Sequence, residues 1–196
     1  MSDIKINSII KFGNYDWLVL DVQDGNALII SNNIIEQRGY NVKRKNVTWE
    51  KCTLRKYLNG EFFKKFSASD RKRILETQLS NNNTWVSTNS GKDTSDKIFL
   101  LSLEEADKYF GNTGDYKNVK RVNGKGDEDI KGHYLSNDND NLRIAKFEDK
   151  PFEWWLRSLG GVSDAAAFVE KKGFVFYNGN IVNGMFGVRP ALRLKL

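Results

Sequence analysis

Cysteine and histidine are nearly missing from this 196-residue chain: Cys52 and His133 are the single copies of each. One cysteine excludes an intrachain disulfide. Together the pair is too few for a structural zinc site, which needs clustered Cys and His ligands. Counting alone permits a Cys52–His133 nucleophilic pair. Their settings argue otherwise, since Cys52 precedes a helix pattern in "TWEKCTLRKYL" and His133 lies in a polar, glycine-rich stretch. They read as a half-buried thiol and a solvated imidazole. No apolar run approaches the roughly 18 residues of a membrane span. The start, "MSDIKINSII", lacks a basic segment followed by an apolar one, so it is not a secretory signal. Cytoplasmic residence is the expectation for the chain as written, although a trimmed surface or phage protein would look the same.

Apolar residues make up 39%, charged residues 29% and aromatic residues 12%. With a mean hydropathy of −0.57, this is the composition of a hydrated globular chain with an aromatic-rich core. The length suits a single domain over residues 1–196. The net charge of +6 is uneven: Lys43 to Arg73 carries eleven Lys or Arg against three acids, a local +8. A basic patch can attract phosphate or an acidic partner. The same segment has helical spacing, so a solvated helix face accounts for most of it. Nucleic acid would need Trp49 and Tyr57 as stacking platforms. Tyr57 lies on an apolar helical stripe, which makes such a partner unfavoured.

The Asp24-Gly25 pair between "DWLVLDV" and "NALIIS" predicts a hairpin, because its tight turn needs positive φ. "SIIKFG" adds a short strand ahead of it. Leu54, Tyr57, Leu58, Phe62 and Phe66 fall on one helical stripe. Ser67/Asp70 and Ser102/Glu105 have capping-box spacing, the second directly after an expected strand, "KIFLLS". From Gly111 to Asp149 the periodicity dissolves into a long polar loop or insertion. Strands return in "AAFVEKKGFVFYNGNIV", and "GVRPALRLKL" reads as one final strand of period two. Pro190 belongs at an edge, a bulge or a strand start, since it cannot donate to a ladder. The class is α+β with antiparallel sheets.

Recognisable catalytic chemistry is sparse. The acids of "GDEDIKG" and "NDNDN" fail the EF-hand pattern, since counting from Asp138 the sixth position is Arg143 and the twelfth Asp149. No phosphate-cradling glycine loop and no G-x-S-x-G elbow occurs. No catalytic residue, metal ligand or cofactor is therefore assigned. The informative block is "FEWWLRSLGG". Neighbours on a strand point to opposite faces, so Trp154 and Trp155 cannot fill the same layer. Arg157 is expected on the side of Trp155, held by a carboxylate, with Gly160-Gly161 allowing a sharp turn.

"TSDKIFLLSLEEADKYF", "WWLRSLGG", "AAFVEKKGFV" and "GVRPALRLKL" resemble, in this order, the blocks of a bacterial domain family of unknown function common in Firmicutes, and "LRKYLNGEFFKKFSASDRKRI" resembles its helical segment. The likeness runs from about Phe12 to Leu196. Leu159 departs from it, where the family usually has proline after "LRS". That family is similar to C-type-lectin-like folds, including relatives of the formylglycine-generating enzyme and the variable proteins of diversity-generating retroelements. The resemblance implies paired N- and C-terminal strands, flanking helices and ligand-holding loops near the C-terminal strands. The sugar-binding branch's Glu-Pro-Asn or Gln-Pro-Asp and Trp-Asn-Asp triplets are absent, and a lone Cys52 cannot supply the oxidase branch's cysteine pair. Neither calcium-dependent sugar binding nor oxidase activity is expected.

The resulting expectation is a non-catalytic recognition module for a protein or glycan ligand, oligomeric state open. Its binding loop is "YNGNIVNGMFG", where asparagines and aromatics between glycines offer adaptable contacts. Candidate contacts are Tyr177, Asn178, Asn180, Asn183 and Phe186, braced by Trp154, Trp155, Arg157 and Arg189. Two alternatives stay open. One is a structural or assembly domain of a phage or surface protein. The other is an enzyme using Arg157, Arg189 and a loop carboxylate on an anionic substrate.

Overall fold

The computed structural model describes residues 4–82, 88–110, 120–122, 134–136 and 138–196, with backbone alone at 120–122 and 134–135. The fold is mixed α+β, mostly antiparallel sheets with a few short helices. His133 and the "GDEDIKG" acids lie outside the described residues.

The opening of the chain folds as its pattern requires. Strands β1 (Ile9–Phe12), β2 (Tyr15–Gln23) and β3 (Asn26–Ser31) form a meander. Asp24 and Gly25 turn the hairpin with φ of 51° and 73°. Strand β4 (Glu36–Arg38) follows, then a 3₁₀ turn at Trp49–Lys51. Helix α1 (Thr53–Tyr57) continues through a π-helical turn at Leu58–Phe62, so the whole apolar stripe from Leu54 to Phe66 is buried. Helix α2 (Ala68–Arg73) starts where Ser67 Oγ accepts from the Asp70 N–H at 3.0 Å.

Short strands β5 (Ile74–Leu75), β6 (Thr77–Leu79) and β7 (Thr94–Asp96) precede α3 (Leu103–Tyr109). The Ser102/Glu105 capping box of α3 is complete. Beyond it lie β8 (Lys120–Val122), β9 (Tyr134–Ser136), α4 (Asp140–Arg143), β10 (Ala145–Phe147) and β11 (Lys150–Phe152). The stretch 111–149, expected as loop, thus contains three strands and a helical turn. The C-terminal part comprises β12 (Trp154–Leu159), β13 (Ala165–Val169), β14 (Val175–Ile181), β15 (Phe186–Val188) and β16 (Ala191–Lys195).

Two larger sheets organise these strands. One has five, in the order β1-β2-β3-β16-β5, and the other seven, β4-β15-β12-β13-β14-β9-β8. Every pairing is antiparallel except β12 with β15. The last strand therefore closes back on the first hairpin: Ala191 faces Ile30 and Lys195 faces Asn26.

Two expectations are corrected. "KIFLLS" is not a strand and contributes only an isolated bridge from Phe99 to Ala191. Its backbone is shared among other partners. Asn59 Oδ1 accepts from the Lys97 and Ile98 N–H groups, and Leu101 O accepts from the Arg157 N–H. "GVRPALRLKL" is two strands in different sheets. Val188 faces Glu36 in one and Ala191 faces Ile30 in the other, so residues 31–35 oppose only Arg189 and Pro190. Pro190 sits immediately before β16, at the corner where a missing donor is tolerated. One apolar cluster runs through both sheets and the helices.

Candidate functional site

The tryptophan-arginine block lies deep in the protein. Trp154 and Trp155 have no accessible surface and face different neighbours. The indole N–H of Trp154 donates to Arg143 O at 3.0 Å, and its ring meets Phe110 edge-on. The indole N–H of Trp155 donates to Arg38 O at 2.8 Å, while its ring stacks on Phe186 at 4.4 Å and meets Tyr40 and Phe168 edge-on. Strand β12 is bulged between Trp155 and Leu159. Arg157 accordingly does not join the neighbours of Trp155. It donates to Asn81 Oδ1, Leu100 O and Ser80 O and pairs with Glu105, so the expected carboxylate is on α3.

Arg189 is the more unusual cation. Its guanidinium donates to Ser31 O at 2.9 Å and Asn32 O at 3.2 Å, and lies over the rings of Trp154 and Phe110. Burial alone pulls it well below the usual guanidinium value, to about 9, which leaves it charged at neutral pH. It pins the two segments that cross between the sheets, residues 31–32 and 189–190. Both arginines are fully engaged by the protein, and neither presents an open face to an anionic substrate.

The five loop candidates do not form one surface. Tyr177 is buried and Phe186 is half-buried against Trp155 and Phe168. Asn178 is packed against the glycine pair: the Gly161 N–H donates to Asn178 O at 2.8 Å. Asn180 is exposed, with its Oδ1 accepting from the Ile181 N–H. Asn183 lines a cleft.

That cleft, of about 350 Å³, is lined by β4 and the chain following it (Glu36–Gly39, Asn41, Val42), by α1 (Thr53, Leu54, Tyr57) and by Asn183 and Met185. Its charged wall is a compact network. Arg38 Nε donates to Glu36 Oε2 at 2.9 Å, the Tyr57 hydroxyl donates to Glu36 Oε1 at 2.5 Å, and Lys65 Nζ donates to the Tyr57 oxygen at 3.2 Å. The Arg38 guanidinium lies 3.5 Å above the Tyr57 ring. Burial and the bond to Glu36 raise the Tyr57 phenol above its ordinary value, against Lys65. Burial opposes charging of Arg38, but Glu36 and Tyr57 outweigh it and raise the guanidinium. The network is therefore an ion cluster with a neutral phenol at neutral pH. The opposite rim offers amides and two exposed apolar side chains, Val42 (74%) and Met185 (58%).

Sequence reasoning missed this wall because residues 32–47 carry no periodicity, while Tyr57 reads as core. The available signal was Glu36-x-Arg38, alternate residues of opposite charge on one strand face.

Other assignments resolve plainly. Cys52 is fully buried rather than half-buried, and its Sγ accepts from the Arg55 N–H at 3.4 Å as the cap of α1. Trp49 is buried and donates to Asp96 at 2.9 Å, so it offers no stacking platform. Asp140 pairs with Arg143. Among the described residues no group of three or more His, Cys, Asp or Glu is placed to hold a metal, and no helix is long and apolar enough to cross a membrane. A wider depression of about 700 Å³ is lined by Leu18, Leu20 and Phe110 among others.

Residues 24–196 match DUF6273, a domain of unknown function. The chain belongs to that family. No curated protein and no solved structure matches it. The DUF6273 span contains both cleft walls, the tryptophan block and the closing strand β16. Strands β1 and β2 precede it.

Proposed function

We propose that this DUF6273 domain is a non-catalytic recognition module of C-type-lectin-like fold, and that its binding site is the cleft between β4, α1 and the 183–185 turn. The carrying observation is a recessed, part-open site whose charged groups neutralise one another while amide and apolar side chains are left for a ligand. Glu36, Arg38 and Tyr57 are mutually bonded, which suits a rigid wall. Asn183 and Met185 belong to the loop whose asparagine and aromatic composition first suggested contacts. The lectin-like reading is supported by the pairing of β16 with β3 and by the helices flanking the sheets. Ligands of such clefts are oriented by a few polar groups and held by apolar contact.

The test is a thermal-shift screen of the full chain against glycan and random-peptide libraries, followed by calorimetry on hits. The double substitution Asn183→Ala, Met185→Ala changes only exposed side chains and leaves the melting temperature unchanged. The expected outcome is that it abolishes the binding found. Binding that survives the double substitution moves the site elsewhere. A chain that binds nothing from either library, yet forms a large oligomer in light scattering, favours an assembly role.

A further inference from the structure

We infer that the cleft takes an acidic peptide in extended form, added as an extra strand along the free edge of β4. The inference rests on the recognition reading above and names its ligand class.

Strand β4 is the end strand of the seven-stranded sheet, with β15 on one side only. Gln37 faces Gly187 in that pair, and the Gly187 N–H is committed to Glu153 O at 2.8 Å on the far side of β15. An antiparallel pair whose N–H points away is of the non-hydrogen-bonded kind, so the N–H and C=O of Gln37 also point outward, to the open edge. Gln37 lines the cleft together with Glu36 and Arg38, which alternate with it across β4, so the cleft reaches the edge toward which the Gln37 main chain points. Here the edge is roofed on its other side by α1 through Thr53, Leu54 and Tyr57.

Exposed edges are usually blunted because they invite sheet-to-sheet pairing. This one is recessed between a helix and a turn, which excludes a flat sheet and admits a single strand. Such addition uses main-chain bonds for affinity and flanking pockets for specificity. Met185 and Val42 are exposed at the rim, and thioether and branched side chains suit an apolar ligand residue.

Charge selects the sequence. Glu36 is the one carboxylate lining the cleft, and Arg38 and Tyr57 already occupy its oxygens. Exposed Lys65 stands at the Tyr57 end, and exposed Lys43 and Lys45 follow Val42 at the other. A bound strand would have cations near both of its ends. Carboxylate-bearing peptides fit that field, and basic ones do not.

The experiment pans a random-peptide library on the full chain and measures synthetic hits by fluorescence anisotropy and by amide exchange of the wild-type protein. Hits enriched in Asp and Glu are expected, with affinity that falls as salt rises and with protection of the Gln37 amide on binding. Gln37→Pro removes the outward N–H without removing a ladder bond and should weaken binding about tenfold, the loss expected for one main-chain hydrogen bond. Gln37→Ala should bind like the parent. Should Gln37→Pro fail to fold by circular dichroism, protection of the Gln37 amide decides alone. Peptides that bind without protecting Gln37, or hits that are neutral or basic, overturn strand addition while leaving recognition standing. Glycan hits with no peptide hits do the same. Silence from both libraries removes both readings.

Discussion

At the scale of single residues, the core is held by polar groups whose ionisation burial has shifted. Cys52 has no accessible surface, and burial pushes its thiol from 9.0 up to about 12. Tyr40, whose hydroxyl donates to Arg157 O at 2.7 Å, is raised well above 10.0 for the same reason. Above about pH 9 the unfolded chain releases the Cys52 proton while the folded chain keeps it up to about 12. The folded state then binds more protons, so stability falls as pH rises through that window. Arg189 works in the other direction, because its lowered value makes the folded chain lose its proton first. A comparison of variants separates the two. Urea titrations from pH 8 to pH 11 should show the parent losing more stability than Cys52→Ala does over the same range; parallel curves would contradict a buried neutral thiol. Below pH 9 the thiol should also resist iodoacetamide until the chain unfolds, since the thiolate is the nucleophile. A lone cysteine signals no role from sequence alone. Its cap on α1 depends on Arg55 coming back to it, which only the folded turn arranges.

Among elements, legibility tracked how local the cause was. The β2–β3 hairpin was readable because its turn residues and both apolar runs sit within sixteen residues of one another. The α3 cap was readable because its two partners are three residues apart. "KIFLLS" was misread because its apolar run is real but its backbone partners, Asn59 and Arg157, are remote in sequence. The tail was misread because a clean period of two does not reveal that its halves join different sheets. The glycine pair stands where the sequence places a turn, between antiparallel β12 and β13. A Cβ at Gly160 would also stand 2.1 Å from the backbone oxygen of Asn178, so the close approach of β14 is a further demand for glycine there. At Gly161 the clash is with the Asn178 side-chain oxygen, which can swing aside. Gly160→Ala should therefore cost about 1–3 kcal/mol, as overpacking does, or prevent folding outright. Gly161→Ala should cost clearly less. Equal melting temperatures for the two variants would show that β14 gives way as readily as a side chain. Within the candidate site the same rule divides the residues: Asn183 was legible from loop composition, whereas Glu36, Arg38 and Tyr57 became a wall only through pairing across the fold.

For the whole molecule, the governing feature is a long-range closure. Strand β16 inserts between β3 and β5, joining residues 26–30 to residues 191–195 and burying Leu192 and Leu194. The crossing segment beside it, pinned by Arg189, carries the chain into β4 and so sets the position of the cleft edge. The site proposed for recognition is thus placed by the last contact the chain can make. Closing so large a loop loses entropy before any contact repays it. The β2–β3 hairpin has no such burden and can form early. The two regions should then divide the folding kinetics. Leu192→Ala removes a fully buried side chain and should destabilise by about 2–5 kcal/mol. Because its native contacts form after the main barrier, nearly all of that loss should appear as faster unfolding. Val19→Ala, in the early hairpin, should instead slow refolding by a substantial share of its equilibrium cost. Chevron measurements in urea read both directly. A Leu192→Ala variant that refolds much more slowly than the parent would mean that the tail joins the nucleus, and that the cleft is built before the rest of its sheet.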